Sequence, residues 1–166
     1  MALRKKPVSP DVIQLRMADL CARSEQCEYD IDQKLYKAGL NPSDRERIIN
    51  FLKEERFIDN RRFAGSFARD KCRFSAWGPY KIRMALLTKR ISSAQIAEAL
   101  ESVEEKEWDE ALMRCALSKS KNLDLNGIEA RENKMKLYKY LLSRGFPSAK
   151  AAIAVKETVR KSSALG

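Results

Sequence analysis

Residues 82–91 read IRMALLTKRI, and this stretch decides the fold because related stretches occur at residues 31–40, IDQKLYKAGL, and 137–146, LYKYLLSRGF. Each copy has an apolar residue, a leucine four positions later, a helix-ending position and a final apolar residue. The members are Ile31, Leu35, Gly39 and Leu40; Ile82, Leu86, Arg90 and Ile91; and Leu137, Leu141, Gly145 and Phe146. Apolar residues at i and i+4 share a helix face, and glycine accepts the left-handed backbone that ends a helix. The pattern predicts a helical unit that occurs three times.

A small helical unit buries little apolar surface alone, so such units stack and present an elongated surface to a macromolecule. The sequence therefore predicts an all-α protein of three tandem three-helix repeats, helix-turn-helix-like, in an elongated, curved array. The predicted divisions are a basic N-terminal tail (1–10), a first repeat (11–58), a second and most basic repeat (59–103), a third repeat (104–161) and a C-terminal tail (162–166).

Capping and turn residues predict where the helices begin and end. Asn41-Pro42 is a helix start, because asparagine caps and proline fits the first helical position, and Gly78-Pro79 separates two further helices. The predicted helices cover residues 11–22, 24 or 26–38, 42–56, 59–74, 79–89, 93–103, 104–122, 129–144 and 147–161, with a polar loop at 124–127.

Composition agrees with a folded helical protein. Of 166 residues, 44% are hydrophobic and 34% charged, and the low counts of Gly 6 and Pro 5 suit helices better than a turn-rich sheet. The cysteines have no CxxC spacing and fall mostly at apolar helical positions, so we interpret them as reduced core residues rather than metal ligands or disulfides. They are Cys21, Cys27, Cys72 and Cys115.

The sequence gives little support to catalysis, export or membrane insertion. There is no histidine, which removes Ser-His and Cys-His nucleophile pairs and the commonest metal ligand. No phosphate-binding G-x-x-x-x-G-K-[ST] loop is present, so we predict no enzymatic activity, no cofactor and no metal site. Arg4, Lys5 and Lys6 are not followed by an apolar stretch, which predicts a cytoplasmic protein without a membrane segment.

Charge distinguishes the three repeats. Net charges are +1 for residues 1–58, +5 for residues 59–103 and +4 for residues 104–166. Between residues 56 and 90 ten cations face only two anions, Asp59 and Asp70. Because uncompensated cations repel one another, we interpret this stretch as facing an acidic protein or a phosphate backbone, against the alternative of a solvated helix face. The predicted partner-binding residues are Arg56, Arg61, Arg62, Arg69, Lys71, Arg73, Lys81, Arg83, Lys89 and Arg90.

Aromatic residues lie among these cations, namely Phe74, Trp77 and Tyr80. Stacking on unpaired bases is one interpretation. Packing at a repeat boundary is the favoured role for Trp77, because this residue precedes the Gly-Pro helix start.

Residues 57–64, FIDNRRFA, and 77–86, WGPYKIRMAL, resemble the RecX family of bacterial recombination regulators. Ser24-Glu25 leading to Lys34-Leu35 resembles the family's first unit, and residues 140–146, YLLSRGF, its closing motif. Arg90 departs from the glycine that the family pattern leads us to expect, so a non-glycine residue must end the middle helix.

The resemblance implies a protein that binds the RecA recombinase filament on single-stranded DNA, lies in its helical groove and restrains ATP hydrolysis and strand exchange. This would modulate recombinational DNA repair and the SOS response. Separately, we expect a monomer. Arg61, Arg62, Arg69, Arg73, Lys81 and Arg83 are the hypothesised electrostatic contacts, and direct contact with single-stranded DNA is left open.

Two alternatives remain at this point. A stand-alone helix-turn-helix-like DNA-binding protein would need basic reading helices, yet residues 92–102 contain no Lys or Arg and residues 43–55 mix both charges. A general helical-repeat scaffold with an unrelated acidic partner is also compatible with the composition.

Overall fold

The computed structural model describes residues 8–164, and this range forms α-helices joined by turns and loops, with no strand. The helices are α1 (Pro10–Arg23), α2 (Glu28–Lys37), α3 (Pro42–Glu54), α4 (Asn60–Ser75), α5 (Pro79–Thr88), α6 (Ser93–Glu101), α7 (Glu105–Ser120), α8 (Ala130–Ser143) and α9 (Ser148–Ala164). The all-α prediction is confirmed, and every predicted helix is present.

Several helix ends differ from the prediction. Helix α2 starts after Cys27, whose sulfur accepts a hydrogen bond from the backbone N of Asp30 at 3.5 Å, and not at Ser24 or Gln26. Helix α3 ends before Arg56, which has a left-handed φ of 57°. Helix α9 continues through residues 162–164 of the predicted C-terminal tail, and α1 begins within the predicted N-terminal tail, of which residues 1–7 lie outside the described range.

The three sequence copies end in the same backbone geometry. In each, the final apolar residue donates its backbone N–H to the carbonyl of the buried leucine, at 3.3 Å for Leu40 to Leu35, 3.2 Å for Ile91 to Leu86 and 3.3 Å for Phe146 to Leu141. This six-to-one bond is the Schellman motif, which satisfies carbonyls that the helix leaves unpaired.

The residue before that apolar position has positive φ in all three copies, at 83° for Gly39, 58° for Arg90 and 94° for Gly145. Arg90 therefore ends α5 as the repeat pattern required, although its side chain makes the left-handed conformation less favourable than it is for glycine. The non-glycine helix end is confirmed.

The helices pack in threes, but their apolar side chains form two cores. The first repeat surrounds Ile31, Leu35, Ile48 and Leu52, which are all fully buried. The second and third repeats share one larger core, in which Ile82, Leu86, Leu137 and Leu141 belong to the same cluster. Helix α4 packs on α6 and α7 and so joins the second repeat to the third. The later repeats are thus held together by apolar burial, the dominant favourable term in folding.

Two glycines bring the second and third repeats into backbone contact. The backbone N of Gly78 donates to the carbonyl of Arg144 at 2.7 Å, and the N of Tyr80 donates to the carbonyl of Gly145 at 3.0 Å. A Cβ added to Gly145 would lie 2.5 Å from the Cβ of Lys81, closer than real Cβ atoms approach. Only glycine therefore lets the α8–α9 turn sit against the start of α5.

The accessible surface is 11006 Å². A folded monomer of 19.0 kDa typically exposes about 8400 Å², so this chain exposes more surface than a typical folded monomer of equal mass. Within residues 8–164, no helix has the length and apolar character needed to span a membrane.

The cysteines are free thiols, with Cys27, Cys72 and Cys115 buried and Cys21 partly exposed. Burial raises the pKa of Cys27 and of Cys72 to about 11, so both thiols stay neutral near pH 7. They pack as small apolar residues.

Candidate nucleoprotein interface

Helix α4 carries many of the predicted partner-binding cations. Its N-terminus is fixed by Asp59, whose side chain accepts a hydrogen bond from the backbone N of Arg62 at 3.0 Å. Its buried side, which includes Ala64, Ala68 and Cys72, packs into the shared core. The cations therefore lie along the edges of α4 rather than on one outward face.

One edge of α4 faces carboxylates on the neighbouring helices. Arg61 pairs with Glu98 of α6 through two hydrogen bonds, of 2.5 and 2.6 Å, and Arg73 pairs with Glu107 of α7 at 2.6 Å. These hydrogen bonds lower the pKa of Glu98 and of Glu107, so both remain charged at neutral pH. Arg69 lies on the same edge, and its guanidinium is 3.4 Å from the Ser102 hydroxyl, which accepts a hydrogen bond.

Two other predicted cations attach the first repeat to the second. Arg62 pairs with Glu25 at 2.6 Å and also donates to the backbone carbonyl of Arg56 at 3.2 Å. Lys89 pairs with Asp30 of α2, again at 2.6 Å. The cations that looked uncompensated in the local sequence are thus partly compensated by carboxylates on other helices.

Two of the remaining cations, Lys71 and Lys81, lie near the corner between α4 and α5. The ammonium groups of Lys71 and Lys81 lie over the Trp77 ring, 4.8 and 4.6 Å from its centroid. Trp77 also meets Phe67 edge-on at 6.4 Å and packs against the shared core, which agrees with the boundary-packing role. Because two cations already lie over the indole, base stacking fits the neighbouring Phe74 better, a residue that is 83% exposed.

The structure does not gather the ten predicted residues into one site. Arg83 is exposed on α5, Arg56 is exposed after α3, and the Arg90 guanidinium lies 5.1 Å from the centre of the Tyr29 ring. Among the described residues, no ion pair involves Lys71, Lys81 or Arg83. These three cations form what we call the corner cluster.

Sequence reasoning missed two arginines that stabilise this corner. Arg114 of α7 donates to the carbonyls of Cys72 and Arg73, at 3.1 and 2.8 Å, and Arg144 donates to the carbonyl of Ser75. These three hydrogen bonds satisfy the last carbonyls of α4, a position that favours cations. The sequence shows no signal for them, because both arginines lie far from α4 along the chain.

The candidate DNA-reading helices remain poor readers in three dimensions. Helix α6 has no Lys or Arg, and its Glu98 is engaged by Arg61. In α3, Arg45 pairs with Asp32 at 3.0 Å and Arg47 contacts Asp11 at 3.3 Å. A helix that reads base edges needs free donors, so this geometry disfavours major-groove recognition.

Comparison with known proteins gives consistent similarities. A family model described as "RecX, second three-helix domain" matches residues 59–100. Regulatory protein RecX of Vibrio parahaemolyticus serotype O3:K6 is 31% identical over 129 residues, covering 76% of this chain and 79% of the relative. Regulatory protein RecX of Clostridium botulinum strain Eklund 17B is 30% identical over 137 residues, covering 82% of this chain and 64% of the relative. The chain therefore spans less than two thirds of that clostridial relative.

Two solved structures are similar over most of the chain. A crystal structure of RecX from Lactobacillus salivarius superposes with a TM-score of 0.74 at 19% identity, covering 90% of this chain and 96% of that one, and it bears on the fold alone. A crystal structure of regulatory protein RecX gives a TM-score of 0.76 at 26% identity, covering 92% and 73%. Both superpositions agree with an all-α repeat array.

Proposed function

The chain belongs to the RecX family of regulatory proteins, and on that premise we propose that it binds the filament formed by the RecA recombinase on single-stranded DNA. It acts as a cytoplasmic monomer in the helical groove of the filament and slows ATP hydrolysis and strand exchange. Through that restraint it modulates recombinational DNA repair and the SOS response.

The corner cluster is the observation that carries this proposal. Residues 71–97 contain no Asp or Glu, and within them Lys71, Lys81 and Arg83 have no carboxylate partner. Lys71 and Lys81 converge on the Trp77 ring, and Arg83 follows Lys81 by two residues on α5. Unpaired cations in one region repel one another, and an anionic surface relieves that repulsion. A nucleoprotein filament offers such a surface as acidic side chains and phosphates.

The arginines that already form ion pairs with carboxylates have a different role. Arg61, Arg62 and Arg73 already hold carboxylates, so contact with a partner would first have to break hydrogen bonds of 2.5 to 2.6 Å. We therefore assign them to holding the repeats in position, and narrow the electrostatic contact hypothesised from sequence to the corner cluster.

Charge reversal tests the assignment. The variant Lys71→Glu/Lys81→Glu/Arg83→Glu is compared with a control, Arg16→Glu/Lys37→Glu/Lys121→Glu. The control cations are exposed and, like the corner cluster, form no ion pair among the described residues. Both triples change the formal net charge from +10 to +4, since each reversal removes two units. Filament binding is measured by co-sedimentation over a range of salt concentrations.

The proposal expects the corner-cluster variant to bind more weakly and with less dependence on salt, while the control changes little, because local contacts outweigh net charge at physiological salt. Equal losses in both variants would show that only total charge matters. Tight, sequence-selective binding of the wild-type chain to naked duplex DNA would instead favour the stand-alone DNA-binding alternative.

A further inference from the structure

Helices α5 and α8 occupy equivalent places in the second and third repeats. Their buried residues correspond, since Ile82 and Leu86 of α5 and Leu137 and Leu141 of α8 are all fully buried in the shared core. Aligning these residues also aligns the outward sides of the two helices. The outward sides can therefore be compared position by position.

The aligned outward positions hold exposed apolar side chains in both helices. Tyr80 on α5 is 58% exposed and corresponds to Met135 on α8, which is 51% exposed. Leu87 is 43% exposed and corresponds to Leu142, which is 37% exposed. Exposed apolar residues scattered singly need no explanation, but the same pair at the same positions of two repeats forms a patterned surface.

The charge around both helices is one-sided. Residues 71–97, which include α5, contain no Asp or Glu, and neither do residues 133–156, which include most of α8. Arg83 on α5 and Lys139 on α8 are exposed, and neither forms an ion pair within the described residues. Each outward face thus combines apolar side chains with unpaired cations.

The equivalent face of the first repeat also has an exposed aromatic residue, since Tyr36 is 64% exposed, but its charge differs. Helix α2 has Tyr29 and Tyr36 at the positions of Tyr80 and Leu87, and these rings lie beneath Arg90 at 5.1 Å and Arg45 at 5.3 Å. Asp30 and Asp32 supply acidic groups to that face. At the positions of Arg83 and Lys139, helix α2 has Asp32 and Gln33. Among the three repeats, the second and third therefore combine exposed apolar residues with a cation at these outward positions.

We propose that the outward faces of α5 and α8 are two equivalent docking surfaces for an acidic protein whose subunits repeat. Each face takes an apolar patch bordered by carboxylates on one subunit of the partner. A protein is favoured over nucleic acid because Leu87, Met135 and Leu142 have no ring to stack on bases and no donor for phosphates. The inference rests on the proposed function and assigns the contact with filament protein to these two faces.

Two equivalent contacts strengthen each other when the partner is built from repeated subunits. Once one face has docked, the other face is held near its own binding site at high effective concentration. Two weak contacts therefore give tight binding. Apolar side chains at the centre of a contact carry most of its energy, while surrounding charges direct the approach.

Paired truncations test the inference. Tyr80→Ala/Leu87→Ala removes the α5 face, Met135→Ala/Leu142→Ala removes the α8 face, and Leu15→Ala/Ile153→Ala is the control. Leu15 and Ile153 are 68% and 64% exposed, so the control removes side chains at least as accessible as those tested. Co-sedimentation with the recombinase filament measures affinity, titration with single-stranded DNA alone measures nucleic-acid binding, and circular dichroism checks folding.

We expect each face variant to lose about tenfold in filament affinity, and the combined variant about a hundredfold, because the faces lie on different helices and their effects add. Naked DNA binding and the control should stay at the wild-type level. If both face variants bind filaments with wild-type affinity, the docking inference is wrong while the proposed function still stands. If the face variants also lose binding to naked DNA, the faces contact nucleic acid and the docking inference is wrong. If the wild-type chain does not bind filaments at all, the proposed function itself is wrong.

Discussion

Substituting alanine for Gly39, Gly78 and Gly145 separates two reasons for having glycine. Gly39 and Gly145 have the same role in their repeats and similar φ values, 83° and 94°. An added Cβ would meet nothing within 4 Å at Gly39, but would lie 2.5 Å from the Cβ of Lys81 at Gly145. Gly78 has an ordinary φ of −83°, yet its Cβ would lie 2.6 Å from the backbone N of Phe146.

The expected losses of stability follow from these differences. For Gly39→Ala, the left-handed conformation costs about 1–2 kcal/mol, partly offset by about 0.4–1 kcal/mol from the stiffer unfolded chain. Gly145→Ala adds the cost of forcing two backbones apart, about 1–3 kcal/mol, so its total should reach about 3 kcal/mol. Gly78→Ala has the close contact alone and should fall between them.

Urea unfolding followed by far-UV circular dichroism measures all three free energies of unfolding. The account expects Gly145→Ala to be clearly the most destabilised and Gly39→Ala the least. If Gly145→Ala unfolds at the same urea concentration as Gly39→Ala, the backbone contact between the second and third repeats does not exist as described.

Three further predictions concern acid stability, thiol reactivity and the separate cores. The hydrogen bond from Arg73 lowers the pKa of Glu107 in the folded protein. The pair therefore stabilises the fold fully above the unfolded-state glutamate pKa of about 4.3, and this stabilisation is lost as the pH falls through the lower pKa of the folded state. Glu107→Gln should therefore flatten the decline of melting temperature in acid, and an unchanged decline would contradict the pairing. Because burial raises the pKa of Cys27 and Cys72 to about 11, native alkylation near pH 8 should be at least about a hundredfold slower than in denaturant. Fast labelling of either native thiol, read by mass spectrometry, would contradict its burial. Leu35→Ala should lower the free energy of unfolding of the first core by about 2–5 kcal/mol and speed amide hydrogen exchange there. Amides in the shared core should keep their protection from exchange. Loss of protection in both cores would show that they unfold as a single cooperative unit.

Much of the fold could be predicted from local sequence. The spacing of Leu35, Leu86 and Leu141 gave the repeat, and alignment to the glycines predicted that Arg90 ends a helix, which the structure confirms with a φ of 58°. Helix ends and buried leucines depend on a few neighbouring residues, so the chain reveals them directly.

The candidate site was less predictable, because its charges are compensated across helices. Arg61 and Arg73 meet Glu98 and Glu107, which are separated from them by more than thirty residues of chain. Those pairings depend on how α6 and α7 pack on α4, and no local pattern encodes them. For the same reason the contact of Gly145 with α5 and the division into two cores became visible only in the structure.

The proposed inhibition of the recombinase is tested by measuring RecA ATP hydrolysis on single-stranded DNA while this protein is titrated below one molecule per filament subunit. We expect strong inhibition at these low ratios with the DNA still held in the filament, because on the proposed binding mode each molecule contacts more than one subunit. Unchanged hydrolysis at saturation, with DNA binding by the chain intact, would contradict it.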